Sequence, residues 1–477
     1  MTQRFKQVLS NLSKKEECFT DSEKSIYKRA LALAVPMMIQ NGITNMVGLI
    51  DNIMVGSLGN EAITAVSIVG QLIFVFNLAI FGGLSGPGIY AAQYFGKGDE
   101  EGFRNTFRIK HYICAVCLTV GIGVFIIGKE FLIGQYLKGE SGTVDPVRTM
   151  ALAKEYLNIM LWGLLPFAVT QIFASSLRET GDSIKPMVAG ICSVAADIIF
   201  NYLLIFGKFG FPKMGVRGAA LATVIARIVE MLIVIIWTVV RRKDHFFLHG
   251  AYKRFIVPAS TSFTIIKKGM PIFLNEFLWA GGMAVLTQCY STLGLDIVAG
   301  INISNALCNL LNVVFIAMGN AVGILIGQIL GAGKFRQAEK DAFSLMKFTG
   351  AVCAVLTVLL IAASGLFPKF YDTSAEIRKS ASMFIVITAL FFPVQGYLNA
   401  LYFTLRSGGK TVVTFLFDSV YTWVIVVPAA FLLCKFSGLQ VYGVYAIVLS
   451  FDFIKLAIGL ALIKKGIWIS NITESTE

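Results

Sequence analysis

Apolar stretches long enough to cross roughly 30 Å of hydrocarbon recur from Ala30 to Ile463, each closed by a short polar or glycine-rich break. The apolar runs are continuous. A membrane barrel would alternate polar and apolar positions at every second residue, so the pattern predicts helices. Twelve such spans fit between the breaks, and the chain reads as an all-α integral membrane protein. Ahead of the first span, Lys6, Lys14, Lys15, Glu16, Glu17, Asp21, Glu23, Lys24 and Lys28 make the leader too polar for a cleavable signal peptide. Composition agrees: 56% hydrophobic and 14% charged residues leave a soluble fold of 477 residues short of polar surface.

The formal charge of +13 raises the question of a nucleic-acid partner, and its placement answers it. Lys and Arg gather in the leader, from Lys97 to Lys110, at Arg178 and Lys185, from Arg241 to Lys268, at Lys334, Arg336 and Lys340, at Arg406 and Lys410, and at Lys464 and Lys465. On a twelve-span chain these are the alternate breaks that share one side. The positive-inside rule therefore puts both termini in the cytosol of a plasma (inner) membrane protein, with lipid and not nucleic acid as its surroundings. Most cysteines lie in apolar spans, and Cys114 with Cys117 reads as packing within the third helix. His245 and His249 share an i, i+4 spacing without a third ligand nearby, which predicts surface residues and not a zinc site.

Comparing the two halves shows that the chain repeats. Pro36, Leu58-Gly59 and Gln93-Tyr-Phe-Gly96-Lys-Gly98 recur as Pro271, Leu293-Gly294 and Gln328-Ile-Leu-Gly331-Ala-Gly333 at one shift of 235. Leu177-Arg178-x-x-Gly181 recurs as Leu405-Arg406-x-x-Gly409 at 228, and Gly218 as Gly443 at 225. The predicted organisation is a cytosolic leader (1–26), a six-helix lobe (27–243), a basic cytosolic linker (244–261), a second six-helix lobe (262–465) and a cytosolic tail (466–477). Six is even, so both repeats enter from the same side as parallel bundles, with a central cleft expected between them. The repeated glycine-rich segment lacks the GxxxxGK[ST] pattern and follows a membrane helix, which points to tight helix packing and a terminating turn instead of a phosphate loop.

In order and spacing these residues resemble the multidrug and toxic compound extrusion (MATE) family. The likeness rests on Pro36-x-x-x-Gln40, Gly48-Leu-Ile-Asp51-Asn-Ile-Met-Val-Gly56-Ser-Leu-Gly59, Ser176-Leu-Arg178-Glu-Thr-Gly181-Asp182, Asn201-Tyr-Leu-Leu-Ile-Phe-Gly207 and Gly215-Val-Arg-Gly218-Ala-Ala-Leu-Ala-Thr223. In the second half it rests on Pro271-Ile-Phe-Leu-Asn275-Glu276-Phe-Leu-Trp279, Gly327-Gln328-x-x-Gly331-Ala-Gly333 and Leu405-Arg406-Ser-Gly408-Gly409. The resemblance implies a two-lobed, twelve-helix exporter that exchanges an organic, often cationic, compound for Na⁺ or H⁺.

Charges inside the spans are the candidate chemistry, because an ionised side chain in hydrocarbon costs several kcal/mol unless paired or hydrated. Helix rise places Asp51, Asp197, Asn201 and Thr223 about 9 to 15 Å below the outer face of the first lobe. Asp197 and Asn201 share a helix face at i, i+4. Two carboxylates, an amide oxygen and a hydroxyl are hard donors for Na⁺, above all Asp51, Asp197 and Asn201, and close carboxylates also serve H⁺. This matches the family's N-lobe cation site with Asp51 as central acid. The order departs from the common pattern, in which Asn comes first and Asp four residues later. Nearer the cytosol, Glu276 resembles the seventh-helix acid that binds cation or substrate in some relatives. Asp418 sits at similar depth, while the tenth span from Ser382 to Leu405 has no acid.

At the 225 shift, Arg227 and Glu230 correspond to Asp452 and Lys455, an i, i+3 pair of inverted sign. Each pair either neutralises itself within its helix or meets the other across the lobes. Trp162, Trp279, Phe391, Phe392, Tyr397, Tyr402 and Trp423 are candidates for stacking on flat cations. The expectation is secondary active multidrug efflux by a monomer, with no cofactor beyond the coupling ion and small organic molecules as substrates. A flippase for lipids or lipid-linked saccharides would call for a cationic cleft, which the few intramembrane Lys and Arg do not supply. A membrane-embedded enzyme would need a catalytic constellation, and none of the three histidines sits clearly in a span. A non-transporting receptor leaves the buried acids unexplained.

Overall fold

A computed structural model describes residues 23–137, 145–241, 245–253, 255–371 and 373–474. The leader up to residue 22, Lys138, Arg242, Lys243 and Arg254 lie outside the described residues. Twelve helices among those described are long and apolar enough to cross a membrane. They are α1 (Glu23–Gly56), α2 (Asn60–Lys97), α3 (Glu100–Leu137), α4 (Pro146–Glu179), α5 (Ile184–Phe206) and α6 (Val216–Val240) in the first repeat. The second holds α7 (Ala259–Ser291), α8 (Leu295–Gly331), α9 (Phe335–Ser364), α10 (Ala375–Ser407), α11 (Thr411–Phe436) and α12 (Val441–Lys464). A short 3₁₀ turn at Leu161–Gly163 interrupts α4, and α11 widens into π segments at Leu416–Val420 and Thr422–Val426.

The breaks repeat as the helices do. Gly59 and Gly294 turn at φ 113° and 142°, and Gly98 and Gly333 at 77° and 73°, conformations that glycine adopts without a Cβ penalty. Packing divides the chain into two compact units whose boundaries fall inside helices. The N unit holds Pro36–Gly88 and Phe103–Phe277, so it takes in the first half of α7. The C unit holds the chain to Val35, Ile89–Gly102 and everything from Leu278 on, including the start of α1 and the end of α2. In the N unit α6 packs on α4 and α5, and in the C unit α10 packs on α8, α9 and α12.

Within the C unit the repeated glycine-rich segment shows its purpose. A Cβ on Gly96 would lie 1.9 Å from the carbonyl oxygen of Gln328, and a Cβ on Gly331 would lie 1.9 Å from that of Gln93. The ends of α2 and α8 thus cross backbone to backbone, each glycine seated on the other repeat's glutamine. Gln93 is fully buried and spends its amide on the end of α10 and the segment after α12: Nε2 donates to the carbonyls of Ser407 (2.9 Å) and Ser470 (3.2 Å), and Oε1 accepts from the Ile472 amide (2.9 Å). Trp468 and Thr473 are buried and Ser470 Oγ donates to the Gly408 carbonyl, so the segment after α12 is packed structure up to residue 474.

The break between α6 and α7 is likewise folded where it is described. Phe247 is buried against the rings of Phe103 and Phe107, and Arg108 Nε donates to the Ala251 carbonyl at 2.9 Å. His245 is therefore not at the surface. A 3₁₀ turn at Phe246–Leu248 ends the helical spacing and buries its ring, with Nε2 3.1 Å from Lys185 Nζ, while His249 stays exposed. His111 lies inside α3, ringed by Phe107, Phe173, Tyr252 and Phe255. Lys110 and Arg178 also fall within helices, not in loops, because α3 and α4 run well beyond the length that hydrocarbon alone requires.

The glycine crossing yields a test. Gly96→Ala and Gly331→Ala each force the α2–α8 crossing apart, and overpacking of this kind costs about 1–3 kcal/mol. The expected result is a clear drop in the thermal unfolding midpoint of detergent-solubilised protein for both variants, while Gly365→Ala, whose Cβ meets nothing within 4 Å, leaves it in place.

Candidate functional site

In the N unit the structure brings together the four residues singled out in the outer half of the first lobe. Asn201 Nδ2 donates to Asp51 Oδ1 at 2.9 Å and to Asp197 Oδ2 at 3.2 Å, so the amide bridges the two acids. Asp197 and Asn201 are buried and Asp51 is half-buried. Thr223 Oγ1 donates to the Ala219 carbonyl one turn back on α6 at 3.2 Å and lies beside Asp197 and the buried Tyr156 of α4. Ser193 Oγ, one turn before Asp197, donates to the Ala226 carbonyl and pins α5 to α6 beneath the cluster. Tyr156 escaped sequence reasoning, since one tyrosine in an aromatic-rich membrane chain carries no signal of its own.

The donor set fits a small cation. With its amide nitrogen committed to both carboxylates, Asn201 turns Oδ1 away from them, and this oxygen and Asp197 Oδ1 are buried without a hydrogen-bond partner. Orphaned buried oxygens are costly, and two adjacent carboxylates repel unless a cation or a proton sits between them. Among the described residues no group of three His, Cys, Asp or Glu side chains converges as it would for a transition metal. The inverted order along α5 has a geometric outcome: the amide, one turn further out, spans both acids.

Beneath this cluster lies charge that sequence reasoning assigned to cytosolic loops. Lys110 is fully buried, and its three donors meet Ser175 Oγ (3.0 Å), Ser176 Oγ (3.0 Å) and Glu179 Oε2 (2.6 Å). Arg178 Nη2 donates to Gln40 Oε1 at 2.9 Å. Glu230 faces both Arg178 and Arg227. Arg227 is held by the Gly163 carbonyl (3.2 Å) and lies 5.1 Å from the centre of the Phe167 ring.

The C unit answers the same positions with other chemistry. Lys455 Nζ bonds Asp418 Oδ1 at 2.7 Å, so a pair closed within α12 by Asp452 and Lys455 is not the main arrangement. Asp418 sits in the first π segment of α11, and Asp452 lies beside Gln395 of α10. Glu276 is in the N unit, beside Gly82 of α2, where a Cβ would approach its Cγ to 3.2 Å. Of the aromatics considered for stacking, Phe392 is buried in the C-unit core with Phe315, and Trp423 Nε1 donates to the Leu278 carbonyl.

The buried ion pair gives a test. Removing one partner of such a pair leaves an uncompensated charge and costs roughly 3–5 kcal/mol. Glu179→Gln is expected to lower the unfolding midpoint strongly, and the double variant Lys110→Met, Glu179→Leu to lose much less than the sum of its parts in a double-mutant cycle.

A family model, MatE, matches residues 36–203 and 271–432, one match in each repeat. The chain is 24% identical over 456 residues to the probable multidrug resistance protein NorM of Thermotoga maritima, covering 93% of both chains. It is 24% identical over 436 residues to the probable multidrug resistance protein YoeA of Bacillus subtilis, covering 89% of this chain and 90% of the relative. Among solved structures, a mutant of the Vibrio cholerae MATE transporter VcmN superposes with a TM-score of 0.82 at 17% identity, covering 93% of this chain and 97% of that one. The outward-facing conformation of a multidrug resistance MATE family transporter superposes with a TM-score of 0.80 at 19% identity, covering 96% and 98%.

Proposed function

The chain belongs to the MatE family, and from that membership we propose that it is a secondary active exporter, exchanging organic, often cationic, compounds for Na⁺ or H⁺. Members of this family are transporters and not enzymes, and twelve apolar helices make the chain a multi-pass membrane protein. In this reading it works as a monomer in the plasma membrane, with both termini in the cytosol.

The carrying observation is the Asp51–Asn201–Asp197 cluster with its two orphaned oxygens. A Na⁺ ion or a proton entering it relieves the repulsion of the carboxylates and satisfies oxygens that the protein leaves bare. Coupling requires only that the two conformations of the transporter differ in affinity for that cation and, in the opposite sense, for the substrate. Ser193 fixes the helix that carries Asp197, and Thr223 and Tyr156 line its surroundings. Na⁺ and H⁺ compete for the same oxygens, so acid is expected to weaken the Na⁺ response. Glu276 is the candidate acid for a cationic substrate. Asp418 already has Lys455 as its counter-ion and is assigned to structure in this state.

The test is export of ethidium from everted vesicles, with Na⁺ and pH gradients imposed separately. Wild type is expected to respond to at least one gradient, and Asp51→Asn to lose that dependence with at least a tenfold fall in export rate. Gradient-driven export in Asp51→Asn at the wild-type rate would remove the central acid from the mechanism.

A further inference from the structure

Asp51 is not the only point at which α1 is held to the N unit. Eleven residues before it, on the same helix face, Gln40 accepts from Arg178 Nη2 at 2.9 Å. Gln40 also lies flat against α5 at Gly190, where a Cβ would stand 2.9 Å from its Nε2, 3.0 Å from its Cγ and 3.3 Å from its Cδ. Gly190 is in turn eleven residues before Asn201. Helix α1 is therefore held at two polar rungs three turns, or about 16 Å, apart: by a hydrogen bond to α5 at Asp51, and by a hydrogen bond to α4 with close packing on α5 at Gln40. The outer rung is Asp51 on Asn201 and Asp197. The inner rung is Gln40 on Arg178, seated over Gly190.

Glu230 of α6 faces the Arg178 guanidinium, and Arg178 Nε is buried without a hydrogen-bond partner, so the bond from Nη2 to Gln40 sets the orientation of the side chain. One turn before Gln40, Pro36 removes a backbone hydrogen bond from α1, and the boundary between the two units falls between Val35 and Pro36. The inner rung thus ties α1 to the N unit one turn past the weakest point of the helix, where it can fix the rotation and height of the remaining turns up to Asp51.

We propose that Gln40, Arg178 and Gly190 are positioning residues for the coupling site: they set the register of α1 on α5 so that the Asp51 carboxylate meets Asn201 and Asp197. This rests on the assignment of that cluster as the coupling site. Arg178 acts at a distance, through the helix, and touches neither ion nor substrate. Gly190 is needed because any Cβ there pushes the Gln40 amide off Arg178.

The experiment uses the full-length protein in detergent and measures the Na⁺ concentration and the pH at half-maximal thermal stabilisation, with the ethidium KM in proteoliposomes alongside. Gln40→Leu keeps the bulk and loses the acceptor. Gln40→Glu keeps the acceptor and strengthens the bond to Arg178. Gly190→Ala displaces the amide. Gln40→Leu and Gly190→Ala are expected to weaken the ion response about tenfold, the size expected for a lost hydrogen bond to a charged group, with KM little changed. Gln40→Glu is expected to stay within about twofold of wild type. A wild type stabilised by neither Na⁺ nor pH overturns the coupling-site assignment and the rung with it. A responsive wild type matched by Gln40→Leu and Gly190→Ala overturns the rung alone, as does a Gln40→Glu variant that fails as Gln40→Leu does.

Discussion

Hydrocarbon offers no hydrogen bonds, and the rest of this structure depends on that constraint. Every polar group carried into a span must find its partner within the protein. The Lys110 ammonium has three donors and meets three oxygens on one turn of α4. The buried Gln93 amide reaches across to three backbone groups, one at the end of α10 and two after α12. Asp197 and Asn201 each keep an oxygen bare in a buried site, and these two oxygens stand in one cluster with a second acid, Asp51.

The duplicated architecture shows how much of each lobe is scaffold. Features that shape the backbone survive in both copies: Pro36 and Pro271, the turns at Gly59 and Gly294, and the reciprocal seats of Gly96 and Gly331. The Gly96 and Gly331 seats admit no side chain, so divergence cannot rework them gradually. Polar side chains have moved more freely. At paired positions Arg227 lies on Phe167 in the N unit, whereas Asp452 lies beside Gln395 in the C unit. Helix 4 still faces helix 6, and helix 10 faces helix 12, but with different side chains at the contact.

The helices, their number and the repeat were legible because the bilayer writes them in blocks of about twenty apolar residues, and two copies in one register corroborate each other. The outer cluster was legible because depth along a helix is a fixed function of position, and four hard donors fell at one depth. Lys110 and Arg178 were misplaced by the same reasoning: charge counting treats a basic residue near a span's end as solvated and does not see that the long helix carrying it buries it against its neighbours. His245 was misread because an i, i+4 spacing carries meaning only where the chain is helical, and there it is not. Gln93 binds residues more than 300 positions away, and no local pattern encodes such a contact.

The two units also differ in how they satisfy an acid. In the C unit the position that pairs with Asp51 is Leu286, buried in an apolar cluster with Tyr290, Ile301, Phe384 and Val427. The acid retained on α11, Asp418, has its cation supplied on a tether, since Lys455 Nζ lies 2.7 Å away. In the N unit the neighbouring base is diverted: Arg227 donates to the Gly163 carbonyl and lies on Phe167. Asp51, Asp197 and Arg227 then sum to one negative charge, which a single monovalent cation or proton closes. A tethered cation cannot leave the protein, so on the proposed reading a pair such as Asp418–Lys455 cannot couple to an ion gradient, whereas acids that exchange a mobile cation can. On the proposed reading, the duplication supplied two equivalent frames, and coupling arose where one frame kept its acids and turned its own base away.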